Sequence, residues 1–200
     1  MRFNYFDLRA RGEITRLILA YADVKYQDNR VMKLEWPHLK HRAPLGQLPF
    51  LELDEENTTL PQSLSIARYL AREHGLTGSN NLEAAMIDAV VDTALDANNE
   101  CLPIIYRIKG AAKERAMEKF ISVTMPLALE KLEKLQSAYS KKEGCMVGDQ
   151  LSWADLYISD LLENLELFDK SIGEKHPKLA SVRTNVLANK NISAYVAKRK

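Results

Sequence analysis

The feature that most constrains what this chain can fold into is a change of pattern near Gly75. Before it, short alternating stretches and helix-periodic stretches take turns. After the Gly- and Asn-rich segment GLTGSNN, residues 75–81, every periodic stretch is helical. Such a segment between two different patterns reads as a domain boundary. The sequence therefore divides into an α/β domain over residues 1–75, a linker over 76–82 and an all-helical domain over 83–200. Alternation of strand and helix implies a sheet covered by helices.

Within the first part, RFNYF at residues 2–6 alternates and is rich in aromatics, as strands are. Residues 13–22 carry Ile14, Leu17, Ile18 and Tyr21 at helical spacing. Residues 26–31 read as a second strand and 36–41 as a short, irregular helix. Residues 48–53 and 58–60 read as a hairpin with its turn at DEEN, residues 54–57. A helix begins near Ser63, with Ile66, Tyr69 and Leu70 on one face. The order is β-α-β-α-β-β-α around a mixed four-stranded sheet. The second part holds two long helices, over 83–109 and 113–139, which Pro103 and Pro126 should kink or break. A helix then starts at Ser152, where Ser152 and Asp155 resemble a capping box with Asp in place of Glu or Gln. Shorter helices follow from Pro177 and near Ile192.

Composition removes several classes of function. The 200 residues are 46% hydrophobic and 28% charged with net charge +1, which gives no electrostatic case for nucleic acid or an anionic membrane. No apolar run is long enough to cross a bilayer. The first thirteen residues mix charges into their apolar positions and lack a signal-peptide core. Cys101 and Cys145 lie far apart without CxxC spacing, so neither a metal site nor a disulfide framework is expected, and a reducing, cytoplasmic setting is the default. His38, His41, His74 and His176 show no ligand spacing and read as surface or boundary residues.

Five places carry candidate chemistry. In APLGQLPFLEL, residues 43–53, Pro49 cannot donate a ladder bond and belongs at a strand start or edge. A trans turn and a cis bond both fit; a cis bond would leave the N–H and C=O of Leu48 facing outward. At Gln62-Ser63 a helix N-terminus offers free N–H groups and positive dipole charge. Either Ser63 caps the helix, or that end binds a carboxylate. Tyr5 is a core or rim residue, or a phenol that donates to a thiolate, with Arg11 nearby to favour the anion. Trp36 and Lys40, four apart, share a helix face, and their indole N–H and ammonium suit a second carboxylate. Asp92 and Asp96 read as a solvated helix face or as part of a site.

Together, YFDLRARGEITRLILAYADVKYQD, EWPHLK, PLGQLPFLEL, LPQSLSIARYLAREHGL and DQLSWADLYI resemble the cytosolic glutathione transferases, sigma class, over nearly the whole chain. The resemblance implies a thioredoxin-like first domain with Pro49 as its cis proline. It implies glutathione as co-substrate and a homodimer. Ser63 and Gln62 would take the γ-glutamyl carboxylate, and Leu48, in the loop with Gly46, would pair its backbone with the cysteinyl unit like an added strand. Trp36, Lys40 and Gln47 would hold the glycyl carboxylate. Tyr5 would hydrogen-bond the sulfur with Arg11 close by, and Asp96 would reach the α-amino group of glutathione in the neighbouring subunit.

The resemblance implies thiolate chemistry on small hydrophobic electrophiles, with no metal. A free thiol titrates near 8.5; lowering that by about two units takes ~2.7 kcal/mol of preferential anion binding, within reach of a charged hydrogen bond worth roughly 1.5–3 kcal/mol. The electrophile pocket is assigned to Leu8, Ala10, Arg11 and the 95–106 stretch, with Leu95, Ile104 and Ile105 foremost. Two departures stand out. Prostaglandin D synthases of this class carry a Trp where this chain reads CLPIIYR, and Leu95 stands where another Asp would help bind a divalent ion beside Asp92 and Asp96. General conjugation is therefore the first expectation. A prostaglandin isomerase and a non-catalytic binding or crystallin-like protein are the alternatives.

Overall fold

A computed structural model describes residues 1–54 and 58–199. The chain separates into two units, one of Met1–Gly75 with Asn189–Lys200, the other of Leu76–Ala188. The sequence division placed residues 83–200 together; Asn189–Lys200 instead clusters with the first unit.

In the first unit, β1 (Arg2–Phe6), α1 (Glu13–Tyr21), β2 (Gln27–Val31), α2 (Trp36–Leu39), β3 (Phe50–Glu52), β4 (Thr59–Pro61) and α3 (Ser63–Glu73) keep the expected order. The sheet runs β2-β1-β3-β4. β1 and β2 are parallel, and the β1–β3 and β3–β4 pairs are antiparallel, so the sheet is mixed. Glu55, Glu56 and Asn57 of the expected DEEN turn lie outside the described residues. The short helix at 36–41 proves to be α2 followed by a 3₁₀ turn over Lys40–Arg42. The core draws on both layers. Phe3 and Leu51 from the sheet, Ile14, Leu17 and Ile18 from α1 and Ile66, Ala67 and Leu70 from α3 are all buried. Burying such side chains contributes about 1.5–3 kcal/mol each.

The second unit is helical throughout its regular structure. α4 (Asn81–Tyr106) begins at Asn80, whose side chain accepts from Leu82 and Glu83, so the expected linker ends as a helix cap. Leu76, also assigned to that linker, is fully buried. α4 does not stop at Pro103 but runs three residues further. The expected 113–139 helix is interrupted instead. α5 (Ala111–Lys119) gives way to a π-helical turn at Phe120–Thr124, and α6 (Met125–Tyr139) resumes with Pro126 in its first turn. Proline lacks the N–H that a continuous ladder would need there. α7 (Trp153–Leu165) is almost wholly buried and starts with a true capping box at Ser152 and Asp155. The short α8 (Ile172–Lys175), not foreseen from the sequence, precedes α9 (Pro177–Ala188).

The last helix, α10 (Lys190–Lys198), packs on α1, which is why the chain's final segment joins the first unit. Asn189 caps α10 through its side chain, which accepts from the N–H groups of Asn191 and Ile192. Ile192 is fully buried.

Candidate functional site at one end of the first unit's sheet

Register places the candidate residues. Asn4 pairs with Phe50 across antiparallel strands, so Tyr5 and Pro49 lie at the same end of the sheet. Phe50 pairs with Pro61, which brings Gln62 to that end as well. Tyr5 and Phe6 pair with Arg30 and Val31 at the close of β2, and α2 begins within five residues. The Phe6 and Trp36 rings meet edge to face with centroids 5.8 Å apart. Four sheet strands thus deliver Tyr5, Trp36, Pro49 and Gln62-Ser63 to one edge.

The details of that edge favour an external ligand. The Leu48–Pro49 bond is cis, which decides the alternative that the sequence left open. Pro49 is buried, whereas Leu48 is half-buried and Gln47 exposed. Gly46 has φ +60°, and a side chain there would sit 3.5 Å from Cε of Lys40, so Lys40 runs alongside the Gly46 turn. Trp36 is half-buried and Lys40 exposed.

The α3 terminus departs from the simple capping expectation. Ser63 is the first helical residue, not the cap; the cap position belongs to Gln62. Gln62 sits at φ 75°, ψ 118°, and its own side chain makes no capping hydrogen bond. Its carbonyl accepts the first helical hydrogen bond, from Ile66 N at 3.0 Å, which leaves the N–H groups of Ser63, Leu64 and Ser65 ahead of the helical ladder. A non-glycine residue with positive φ costs of order 1–3 kcal/mol and persists where the surroundings impose it, often at ligand sites.

Tyr5 is buried at 6% exposure. A residue that sequence reasoning missed packs against it. A Cβ on Gly12 would lie 2.2 Å from Cδ1 and 2.7 Å from Cγ of Tyr5. Gly12 is therefore the space into which the phenol ring fits. In the sequence, Gly12 stands directly before a helix and reads as an ordinary boundary glycine; nothing there signals its neighbour. Arg11 is exposed in the same 3₁₀ turn, Ala10–Gly12, and Leu8 and Ala10 are half-buried. Ala10, in this loop, has φ 36° and is, like Gln62, a non-glycine residue at positive φ.

In the second unit Asp92 and Asp96 are exposed on α4, Leu95 and Ile105 are half-buried, and Ile104 is buried at 2% exposure. Of the three α4 residues assigned to the electrophile pocket, Ile104 packs into the helical core, while Leu95 and Ile105 stay partly exposed. Among the described residues no group of three His, Cys, Asp or Glu could hold a metal ion. Both cysteines are buried and unbridged. Burial pushes the Cys101 thiol up to about 12, so it is no nucleophile. His176 meets Glu133 Oε1 at 3.1 Å and takes no part in a site.

Residues 1–72 match the glutathione S-transferase N-terminal domain, and residues 95–199 match its C-terminal domain. The chain is 38% identical to S-crystallin SL11 of Nototodarus sloanii and 36% identical to a glutathione S-transferase of Anopheles gambiae; each match covers 98% of this chain and 94% of the relative. Among solved structures, rat hPGDS complexed with a quinoline superposes with a TM-score of 0.88 at 35% identity, over 100% of this chain and 96% of that one. A sigma class transferase of Fasciola hepatica superposes at 0.90 with 25% identity, over 100% and 96%. The chain belongs to the glutathione S-transferase family.

Proposed function

We propose that this chain is a glutathione transferase that conjugates reduced glutathione to small hydrophobic electrophiles. The observation that carries the reading is the α3 terminus, where Gln62 holds a strained backbone in front of helix N–H groups that its own side chain does not cap. A helix N-terminus of this kind binds a carboxylate, and the γ-glutamyl end of glutathione supplies one. Gln62 and Ser63 hold it. The outward backbone of Leu48, before cis-Pro49 and after Gly46, pairs with the cysteinyl unit. Trp36, Lys40 and Gln47 take the glycyl carboxylate.

Tyr5 then donates to the sulfur, with Arg11 adding positive charge. The thiol proton leaves to water, and the thiolate attacks the electrophile. With 1-chloro-2,4-dinitrobenzene a C–S bond forms, the C–Cl bond breaks and chloride carries away the electron pair. Holding both reactants supplies orientation as well as ionisation. Leu8 and Ala10 offer apolar surface for the electrophile beside Tyr5.

The same reading includes a homodimer in which Asp96 reaches the α-amino group of a neighbouring subunit's glutathione, and a cytoplasmic location suited to two unbridged cysteines. Light scattering that finds only monomer at working concentration contradicts the role of Asp96. Two further readings have specific support. The likeness to rat hPGDS favours a prostaglandin isomerase, and the likeness to S-crystallin favours a protein with little turnover. The initial rate of conjugation to 1-chloro-2,4-dinitrobenzene, with glutathione affinity measured in parallel, separates the three. Turnover supports the transferase. Binding without turnover rejects it, and a direct assay for D-type prostaglandin then decides between the other two.

A further inference from the structure

A fully buried cation stands beside Tyr5 and takes no part in the proposed glutathione contacts. Arg16 of α1 is 1% exposed. Its Nη1 donates to the Leu8 carbonyl at 2.8 Å and its Nη2 to the Phe6 carbonyl at 3.3 Å. Phe6 closes β1 directly after Tyr5, and Leu8 lies in the loop that follows. Arg16 Nε meets Asp28 Oδ1 at 3.2 Å. Its Cζ lies 5.8 Å from the centroid of the Tyr5 ring and 5.5 Å from that of Phe3. The guanidinium therefore ties down the Tyr5 loop and sets a fixed charge against the Tyr5 ring. A cation within about 6 Å of a ring centroid is attracted to it. The same charge favours negative charge on the phenol oxygen, which makes its O–H a stronger donor to an anion.

What holds Arg16 there comes from the far end of the chain. Glu13, 1% exposed, lies one helical turn before it, with Oε2 3.8 Å from Arg16 Nη1. Tyr195 Oη lies 3.1 Å from both oxygens of that carboxylate, and Arg199 Nη1 donates to Oε1 at 2.8 Å. The Arg199 side chain is itself 8% exposed. The cluster is completed by Tyr26, Arg30 and Asp7. Arg30 pairs with Asp28 at 2.8 Å and with Asp7 at 2.8 Å, and burial, then the nearby Asp28 charge, pushes the Tyr26 phenol up to about 12, so it stays a neutral member. A buried carboxylate stripped of two partners turns to the cation that remains. For Glu13 that cation is Arg16, whose Nη1 and Nη2 at present donate to the loop carbonyls while its Nε donates to Asp28.

We propose that Arg16 is a positioning residue for Tyr5, and that Tyr195 and Arg199, by satisfying Glu13, leave Arg16 free to hold the Tyr5 loop. The C-terminal segment is then a latch on the thiolate site, acting through one carboxylate and one guanidinium. The proposal rests on the reading of Tyr5 as donor to the glutathione sulfur.

The test is a titration of the bound glutathione thiol, followed by thiolate absorbance in the full chain. Wild type is compared with Tyr195→Phe/Arg199→Met, Arg16→Lys and Tyr5→Phe. Affinity for S-methylglutathione, which has no thiol to ionise, and the circular dichroism spectrum serve as controls. The latch variant is expected to raise the apparent thiol pKa by about half to one unit and to lower kcat/KM roughly three- to tenfold at a pH well below that of the bound thiol's midpoint, with both controls unchanged. Arg16→Lys keeps the charge but cannot fork across two carbonyls, so it gives a smaller shift in the same direction. A folded latch variant that titrates like wild type, while Tyr5→Phe shifts, overturns this inference and leaves the role of Tyr5 standing. A Tyr5→Phe variant without effect, or wild type without a thiolate band, overturns both. Should the double variant fail to fold, Tyr195→Phe alone removes a single hydroxyl, and a thiol titration identical to wild type there also overturns the latch.

Discussion

The two units bury their charges in opposite ways. The first buries Glu13 and Arg16 in α1, both at 1% exposure, with Arg199 brought in from the end of the chain. Each contacts another charge, and the set adjoins Tyr5. The second unit buries Asp155 completely, but its partners are neutral: Met146 N at 2.6 Å, Ser152 N at 2.6 Å and Ser152 Oγ at 2.7 Å. Its other deep polar groups include amides, and among the described residues the Asn98 and Asn164 side-chain oxygens have no partner. A buried ion pair is costly to assemble and adds little net stability, whereas a capping carboxylate satisfies N–H groups that the helix start leaves open. The contrast matches the proposal that the first unit's charges serve the site, while the second unit's carboxylate serves as a helix cap.

The sharpest way to break that contrast is Arg16→Met. It takes from Glu13 and Asp28 one of the two cations each contacts, leaving Arg199 and Arg30, and strips the Leu8 and Phe6 carbonyls of their donor; it should cost about 1.5–3 kcal/mol, read as a lower denaturant midpoint at unchanged slope. A loss under about 1 kcal/mol would show the cluster to be loosely held. Gly12→Ala comes next. Overpacking against the Tyr5 ring should cost about 1–3 kcal/mol. Displacing the phenol by ~1 Å should lower turnover on the order of a hundredfold; a stable variant with full activity would contradict the placement of Tyr5. Asp155→Ala should cost about 0.5–2 kcal/mol from the lost cap. The distinguishing readout is that the bound-thiol titration stays where it was.

The smallest effects are those of pH, and two carboxylates of the second unit, Asp155 and Glu83, carry opposite signs. Burial pushes the Asp155 carboxyl up to about 6 from 3.8, against hydrogen bonds that lower it. Between those values the folded chain holds a proton that the unfolded chain has released. Stability therefore falls as pH rises from about 4 to about 6, and this contribution is flat above. Glu83 behaves the other way. Its bonds to Lys141 and Ser79 hold it down at about 2 from 4.5, so its contribution is complete above about 4.5 and is lost as pH falls toward 2. Thermal midpoints of wild type and Asp155→Asn across about pH 4–6 should differ in slope. Parallel curves would remove Asp155 as the source.

The strands and helices of the first unit were legible because period-2 and period-3.6 patterns are local. Ser152 and Asp155 were legible for the same reason, since a capping box is written within four residues. Pro126 shows a limit. The sequence marks a break, but the chain accommodates it with a π turn at 120–124 before the proline. The α3 cap falls one residue before Ser63, at Gln62, and its positive φ belongs to the backbone, for which Gln carries no signal. Gly12 and the Glu13 latch were invisible for a different reason. Tyr5 and Gly12 meet through a loop, and Glu13 and Tyr195 stand 182 residues apart. Only the fold makes them neighbours.

The most direct measurement is the pH titration of the glutathione thiol bound to wild type and to Tyr5→Phe, with glutathione affinity recorded for each. In wild type the bound thiol should ionise well below its free value of about 8.5. In the variant it should return toward that value, with affinity nearly kept and conjugation of 1-chloro-2,4-dinitrobenzene collapsed. A bound thiol that titrates alike in both proteins would contradict Tyr5 as the donor to the sulfur.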